Sequence, residues 1–153
     1  MEAKKLAGLE PAAVFGYFEE ICAIPHGSRN TKQISDYLVN FAKQHGLRYI
    51  QDEADNVILF GDATAGYENH PTVILQGHMD MVCEKDADCS IDMATEGLDV
   101  THDGSVVFAK GTTLGADNGI AVAMGMAVLA DKTIPHPPIE VLVTSDEEIG
   151  LLG

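Results

Sequence analysis

The chain has 153 residues, of which 46% are hydrophobic and 22% are charged, so it is long enough for one folded domain and too apolar for a disordered chain. Its 24 acidic and 9 basic residues give a formal net charge of −15, which repels phosphate backbones and argues against nucleic-acid binding. The 3 cysteines do not make a disulfide framework, and no stretch reaches the roughly 18 apolar residues of a membrane span. We therefore expect a cytoplasmic protein with no membrane partner.

Two helices are predicted early in the chain, at residues 10–24 and 31–45. Apolar residues recur with helical spacing in both segments, and Gly46 suits the position directly after a helix. A third helix is predicted at residues 120–130. It is rich in small residues, which favours close packing against a sheet.

Between these helices the hydrophobic pattern changes to short extended runs. The turn signal Asp103-Gly104 stands between two of them and predicts a hairpin. The predicted strands are residues 47–51, 57–60, 72–76, 98–101, 105–109 and 139–144. Helices that alternate with apolar strands predict an α/β fold with a mainly parallel sheet sandwiched by helices.

The chain stops a few residues after the last predicted strand, at Leu151, Leu152 and Gly153. No later segment covers that strand or makes the next crossover connection. We therefore expect residues 1–153 to form part of an interrupted domain, with one edge of its sheet left bare.

Polar clusters stand at three equivalent places in this pattern. His78 and Asp80 follow one predicted strand, and Asp117 lies in a glycine-rich turn that opens a helix. Glu147 and Glu148 follow the last predicted strand. Because open α/β sheets build their sites at the carboxyl ends of the strands, we expect the three clusters to converge.

The residue types in these clusters suit metal chemistry. His, Asp and Glu are ligands of catalytic zinc, and a carboxylate such as that of Asp117 can bridge two ions. Asp80 points the same way as His78 in extended backbone, so it can orient the imidazole. Of the adjacent glutamates, one can bind metal while Glu147 takes a proton from water as general base. Each piece alone has a plainer interpretation: Asp117 as a helix cap, and the glutamate pair as a solvated loop.

Three segments carry a resemblance to a known family. They are Leu75-Gln-Gly-His-Met-Asp-Met-Val82, Gly111-Thr-Thr-Leu-Gly-Ala-Asp-Asn-Gly-Ile120 and Thr144-Ser-Asp-Glu-Glu148. Over nearly its whole length the chain resembles the co-catalytic di-zinc metallopeptidases, and the glycine-rich segment is specific to their bacterial dipeptidase branch. The resemblance implies that residues 1–153 are the N-terminal part of a zinc-peptidase catalytic domain, with the lid domain absent.

Carried over by position, the resemblance implies that His78 binds one zinc ion, that Asp117 bridges two, and that Glu148 binds the second. Glu147 and Asp80 would be the catalytic residues, the first as general base and the second as the acid that supports His78. The family hydrolyses dipeptides with a free amino terminus, including Xaa-His dipeptides. A homodimer is one option for the complete enzyme.

This sequence also departs from the family pattern. The family chains are much longer and carry a further carboxylate and a further histidine ligand downstream of the glutamate pair. We therefore expect this chain to supply part of the site, with weak metal affinity and no significant turnover on its own. Two other functions stay open: a non-catalytic metal-binding or interaction fragment, and an N-acyl amino-acid deacetylase or carboxypeptidase of the same superfamily.

The remaining candidate ligands have plainer interpretations. His26 follows a proline in a loop, and we expect it at the protein surface. Cys83 and Cys89 lie near His78 in sequence and could suggest a single zinc site. The family pattern does not use these cysteines, so we do not expect them to be ligands.

Overall fold

The computed structural model describes residues 4–153, in which the chain forms three helices and six strands. In chain order they are α1 (Ala12–Cys22), α2 (Lys32–His45), β1 (Arg48–Gln51), β2 (Val57–Gly61), β3 (Val73–His78), β4 (Val100–His102), β5 (Val107–Ala109), α3 (Ala116–Ala130) and β6 (Ile139–Thr144). Each predicted helix and strand therefore has a counterpart, with ends that differ by a few residues.

The first two helices bury the apolar residues that the helical spacing singled out. α1 buries Phe18 and Ile21, and α2 buries Ile34 and Leu38. Each such side chain contributes roughly 1.5–3 kcal/mol when it is fully removed from water. α2 is followed by Gly46, whose φ of 67° lies in the left-handed region that a residue without Cβ adopts most easily.

The four-stranded sheet has the order β1-β2-β6-β3. β3 and β6 pair in parallel, whereas β1 with β2 and β2 with β6 pair antiparallel. The α/β class is confirmed, but the prediction of a mainly parallel sheet is wrong. The connection through residues 52–56 is too short for a parallel return, which needs a crossover of roughly a dozen residues or more.

The helices pack on one face of this sheet. α2 contacts β1 and β2, α3 contacts β3 and β6, and α1 packs on α3. The strand residues that face them, among them Val57, Leu59, Val141 and Val143, are buried. These side chains and the apolar faces of the helices form one hydrophobic core.

The opposite face of the sheet is open in residues 4–153. Ile50 is 52% exposed and Ile74 is 60% exposed, and both point away from the helices. Polar residues such as Gln76 and Glu140 share this face. The prediction of a sheet sandwiched by helices is therefore wrong for the described residues, because runs interpreted as buried on both faces alternate instead between a buried and a partly exposed face.

β4 and β5 form a separate antiparallel hairpin, as the Asp103-Gly104 signal predicts. Gly104 has a φ of 94°, and the Asp103 N–H donates a hydrogen bond to the carbonyl of Val106. None of the helices within residues 4–153 is long and apolar enough to cross a membrane.

α3 approaches the sheet closely because it is built from small residues. A Cβ added to Gly125 would lie only 2.7 Å from Cγ1 of Val141 on β6. The helix can therefore lie directly on β3 and β6. Its first residues then stand beside the last residue of β3, which is His78.

Candidate metal centre

The three predicted clusters meet at one edge of the sheet. β3 and β6 run parallel with His78 opposite Thr144, so both strands end at the same level. The first turn of α3 brings Asp117 to the same place. One ligand atom from each of His78, Asp117 and Glu148 lies within 4.8 Å of the others. The structure thus brings together all three residues that the sequence analysis named as metal ligands.

His78 is buried, with 7% of its surface exposed. A backbone hydrogen bond shows that one of its two ring nitrogens carries a proton. Its Nδ1 lies 3.0 Å from the backbone carbonyl oxygen of Asp80. A carbonyl oxygen can only accept, so Nδ1 carries the proton and donates it. In the neutral ring Nε2 then carries the lone pair, which is the form in which imidazole binds a metal.

That lone pair faces a carboxylate. Nε2 of His78 lies 3.1 Å from Oδ1 of Asp117. Two electron-pair donors at this distance repel each other unless a positive charge, either a second ring proton or a metal ion, stands between them. Two ligands of one tetrahedral zinc ion lie roughly 3.3 Å apart when both bonds are about 2.0–2.1 Å long. The types of donor, and the spacing of this one pair, therefore fit a shared metal ion such as zinc.

Asp117 does not cap α3. The cap position is Gly115, which has a φ of 69°, and no side chain makes a cap hydrogen bond there. The Asp117 side chain is 83% exposed, and its backbone departs from helical geometry. Its peptide bond to Asn118 is cis. No cap hydrogen bond of the Asp117 side chain is found in the described residues, which does not support the helix-cap interpretation. Oδ1 of Asp117 instead faces His78 and accepts a hydrogen bond from Nδ2 of Asn118 at 3.4 Å.

Asp80 is almost fully buried, and its carboxylate mainly holds the backbone of the glutamate pair. Oδ1 accepts a hydrogen bond from the Glu147 N–H at 3.0 Å, and Oδ2 accepts one from the Glu148 N–H at 3.2 Å. Oδ1 also lies 3.4 Å from Nδ1 of His78. The predicted support of the imidazole thus comes first from the Asp80 carbonyl, while the carboxylate fixes the glutamates.

The pKa of Asp80 reflects these contacts. Burial alone raises the pKa, because it penalises the charged form. The hydrogen bonds from the Ser28 hydroxyl and from the Glu147 and Glu148 amides outweigh burial, so the pKa lies below its ordinary value. Asp80 is therefore an ionised carboxylate and a strong acceptor at neutral pH.

The two glutamates occupy different places, as adjacent side chains usually do. Glu148 joins the ligand cluster. Glu147 lines a cavity of about 360 Å³ together with His78, Asn118 and Thr144. Its Oε2 lies 3.9 Å from Nε2 of His78. Within the described residues no hydrogen bond engages the Glu147 carboxylate, which leaves it available to a molecule in the cavity.

Several residues at this edge of the sheet have no counterpart in the sequence motifs. Ser28 donates to Asp80 at 2.7 Å, and the amide oxygen of Asn56 accepts a hydrogen bond from the N–H of Ser145 at 2.9 Å. His26 is 2% exposed, so the expectation of a surface histidine is wrong, and burial lowers its pKa. Nothing in the sequence singled out Ser28 or Asn56.

Comparison with known proteins finds relatives that match nearly the whole chain. No protein-family model matches it. Over 149 residues it is 43% identical to the cytosol non-specific dipeptidase of Escherichia coli, and the match covers 97% of this chain and 31% of that protein. The crystal structure of aminoacylhistidine dipeptidase from Vibrio alginolyticus superposes with a TM-score of 0.93 at 44% identity, over 97% of this chain and 30% of that one.

Two more distant structures share the fold. They are a tripeptidase from Staphylococcus aureus, with 24% identity and a TM-score of 0.72, and aminopeptidase PepT from Bacillus cereus, with 23% identity and a TM-score of 0.70. They cover 90% and 92% of this chain, which spans 37% and 38% of theirs. The fold is thus an α/β fold found in peptidases. Over nearly its whole length the chain is similar to the cytosol non-specific and aminoacylhistidine dipeptidases, and it spans about a third of the length of these relatives.

Proposed function

We propose that this chain supplies part of the active site of a zinc-dependent dipeptidase that hydrolyses unblocked dipeptides, including Xaa-His. The observation that carries the proposal is the convergence of His78, Asp117 and Glu148 within 4.8 Å. The names of two relatives, a non-specific dipeptidase and an aminoacylhistidine dipeptidase, support the substrate class.

His78, Asp117 and Glu148 are the residues that would hold zinc. Their donor set of one imidazole and two carboxylates is typical of catalytic zinc sites. Asp117 has two carboxylate oxygens and an exposed side chain, so it is the residue suited to bridge two ions in the complete enzyme. Bound zinc supplies Lewis acidity, which polarises the substrate carbonyl and lowers the pKa of water.

Glu147 is the proposed general base. Its carboxylate faces the cavity beside His78, so it can take a proton from water and return it to the departing amine. Asp80 keeps Glu147 in place through the bond to its N–H. The role of Asp80 is therefore to orient the groups that act, and not to transfer protons.

The name of one relative supports a proposal for the cellular setting. The Escherichia coli relative is named as a protein of the cytosol, and the three cysteines of this chain are unpaired, as expected for a reducing compartment. We place the protein in the cytoplasm, with a dipeptide substrate. A net charge of −15 makes nucleic acid an unfavourable partner.

A zinc titration of the 153-residue chain tests the metal site. We expect calorimetry to detect zinc binding that His78→Ala abolishes. His70→Ala is the matched control, because His70 is an exposed loop residue away from the site. Equal zinc binding by both variants would contradict the ligand assignment.

A chimera tests the activity. In it, this chain replaces the 149 matching residues of the Escherichia coli dipeptidase. We expect the chimera to hydrolyse Xaa-His dipeptides and to lose this activity when zinc is removed. A chimera that folds and binds zinc without cleaving any dipeptide would favour the non-catalytic metal-binding function.

A further inference from the structure

The segment between α1 and α2 lies against the end of the sheet that carries the site. The N–H of Met81 donates to the carbonyl of His26 at 3.2 Å, and the N–H of Ser28 donates back to the carbonyl of Met81 at 3.3 Å. One residue further on, the N–H of Arg29 donates to Oδ1 of Asp146 at 2.6 Å. These bonds fix the backbone at Ser28 without using its side chain.

The close approach of this segment depends on Gly27. A Cβ at that position would lie 2.5 Å from Sγ of Cys83, so a larger residue could not occupy the same place without displacing the cysteine. Gly27 pairs with Met81 in an isolated parallel bridge. The segment therefore lies beside the extension of β3 that carries Asp80.

The Ser28 side chain completes the set of donors around Asp80. Its hydroxyl donates to Oδ2 of Asp80 at 2.7 Å. The same oxygen accepts the Glu148 N–H, and the other oxygen accepts the Glu147 N–H. Because Asp80 is only 1% exposed, protein donors rather than bulk water determine how its carboxylate is rotated.

We propose that Ser28 is a positioning residue of the metal centre, which acts through Asp80. Its hydroxyl fixes the rotation of the Asp80 carboxylate, and that carboxylate holds the backbone of Glu147 and Glu148 beside His78. Without the hydroxyl, Oδ2 keeps one donor, the Glu148 N–H, whose 3.2 Å bond is the longest of the three. The metal part of this inference rests on the proposed function, in which Glu148 is a ligand.

Zinc affinity and a cobalt(II) absorption spectrum test the metal part on the 153-residue chain. Groups that orient metal ligands typically change metal affinity by about 10–100-fold when removed, so we expect Ser28→Ala to weaken zinc binding at least tenfold and to shift the cobalt(II) bands. Ser28→Thr keeps the hydroxyl and should restore both. Ser35→Ala is the matched control, because its hydroxyl is buried and donates to the carbonyl of Asp55.

The control separates positioning from general stability. We expect Ser35→Ala to lower the thermal stability while zinc affinity and the cobalt(II) bands stay unchanged. Zinc affinity that falls equally in Ser28→Ala and Ser35→Ala would overturn the proposal, because the loss of affinity would then result from lower stability of the fold. Unchanged affinity in Ser28→Ala would overturn it as well.

Amide hydrogen exchange tests the same proposal without metal. In the metal-free chain we expect Ser28→Ala to speed exchange of the Glu147 and Glu148 amides at least tenfold, with little change in the core strands. Unaltered exchange at both amides overturns the proposal. If the unmodified chain takes up no zinc, the proposed function fails, and the exchange measurement still decides whether Ser28 positions the glutamates.

Discussion

Nε2 of His78 and Oδ1 of Asp117 face each other at 3.1 Å, although the two residues lie 39 positions apart in the chain. Parallel pairing of β3 with β6 and the close packing of α3 produce this approach. These candidate ligand atoms are therefore brought together by the core of the fold and not by a local motif. Mutations in the core should consequently alter metal binding through the stability of the fold, whereas mutations of the candidate ligands should alter it directly.

Replacement of Glu147 by glutamine should remove most of the turnover of the chimeric dipeptidase while it leaves zinc in place. A positioned general base typically contributes about 10²–10⁴-fold, and glutamine cannot accept the proton. Steady-state kinetics with an Xaa-His dipeptide and metal analysis measure the two properties. Glu53→Gln, in an exposed loop, is the control and should leave the rate unchanged. Undiminished turnover in Glu147→Gln would remove the base assignment.

Zinc should stabilise the chain against unfolding. A ligand that binds the folded state alone adds about 2.7 kcal/mol at a concentration 100 times its dissociation constant. Urea unfolding with zinc and with a chelator measures the difference, which should vanish in His78→Ala. A stabilisation that persists in that variant would mean that zinc binds elsewhere.

The contact between α3 and β6 predicts opposite effects for two glycines. Gly125→Ala places a Cβ 2.7 Å from Val141, and overpacking of this kind typically costs about 1–3 kcal/mol. At Gly16, in α1, the added Cβ would meet only the end of the Lys4 side chain at 3.9 Å. Gly16→Ala should therefore stabilise the chain by roughly 0.5–1 kcal/mol, which is the helix-propensity difference. Urea denaturation measures the free energy of unfolding of both variants. Destabilisation by both substitutions would show that packing does not distinguish the two glycine positions.

The hairpin turn should carry a strongly acidic carboxyl group. The N–H groups of Ser105 and Val106 and the Ser105 hydroxyl donate to Asp103 and lower its pKa to about 2. Because the folded pKa lies below the unfolded value of about 3.9, this contribution to stability is present above that pH. It is lost as the pH falls through about 2.

A titration of the Asp103 carboxyl carbon by NMR measures this pKa directly. In Ser105→Ala the hydroxyl donor is removed and the backbone donors remain, so the pKa should rise and still stay below its ordinary value. A midpoint near the unfolded value in the unmodified chain would contradict the turn geometry.

Local patterns in the sequence were enough to predict the elements of the fold. Helical spacing located the helices, Gly46 marked the end of α2, and Asp103-Gly104 marked the hairpin. The pairing of the strands depends on contacts between distant segments, which a single sequence does not encode locally. For that reason β6 was not predicted to lie between β2 and β3, and the open face was not predicted either.

In the candidate site, too, some residues were predicted from local patterns and others, which depend on distant contacts, were not. His78, Asp117 and Glu148 were predicted together because each follows a strand or opens a helix, where polar residues converge. Ser28 and Asn56 were not predicted, because each supports the site by one hydrogen bond from a distant loop. Serine and asparagine are common in loops for local reasons, so their type gives no signal of such a contact.

The order β1-β2-β6-β3 also has a consequence for the synthesis of the chain. β1 and β2 can pair as soon as both have emerged, because they are neighbours in sequence. β3 has no partner in the described sheet until β6, about 60 residues later, inserts beside it. A ribosome that has delivered β3 but not β6 therefore carries an unpaired apolar strand. β3 should accordingly join the sheet, and bring His78 into place, only after residues 139–144 have been made.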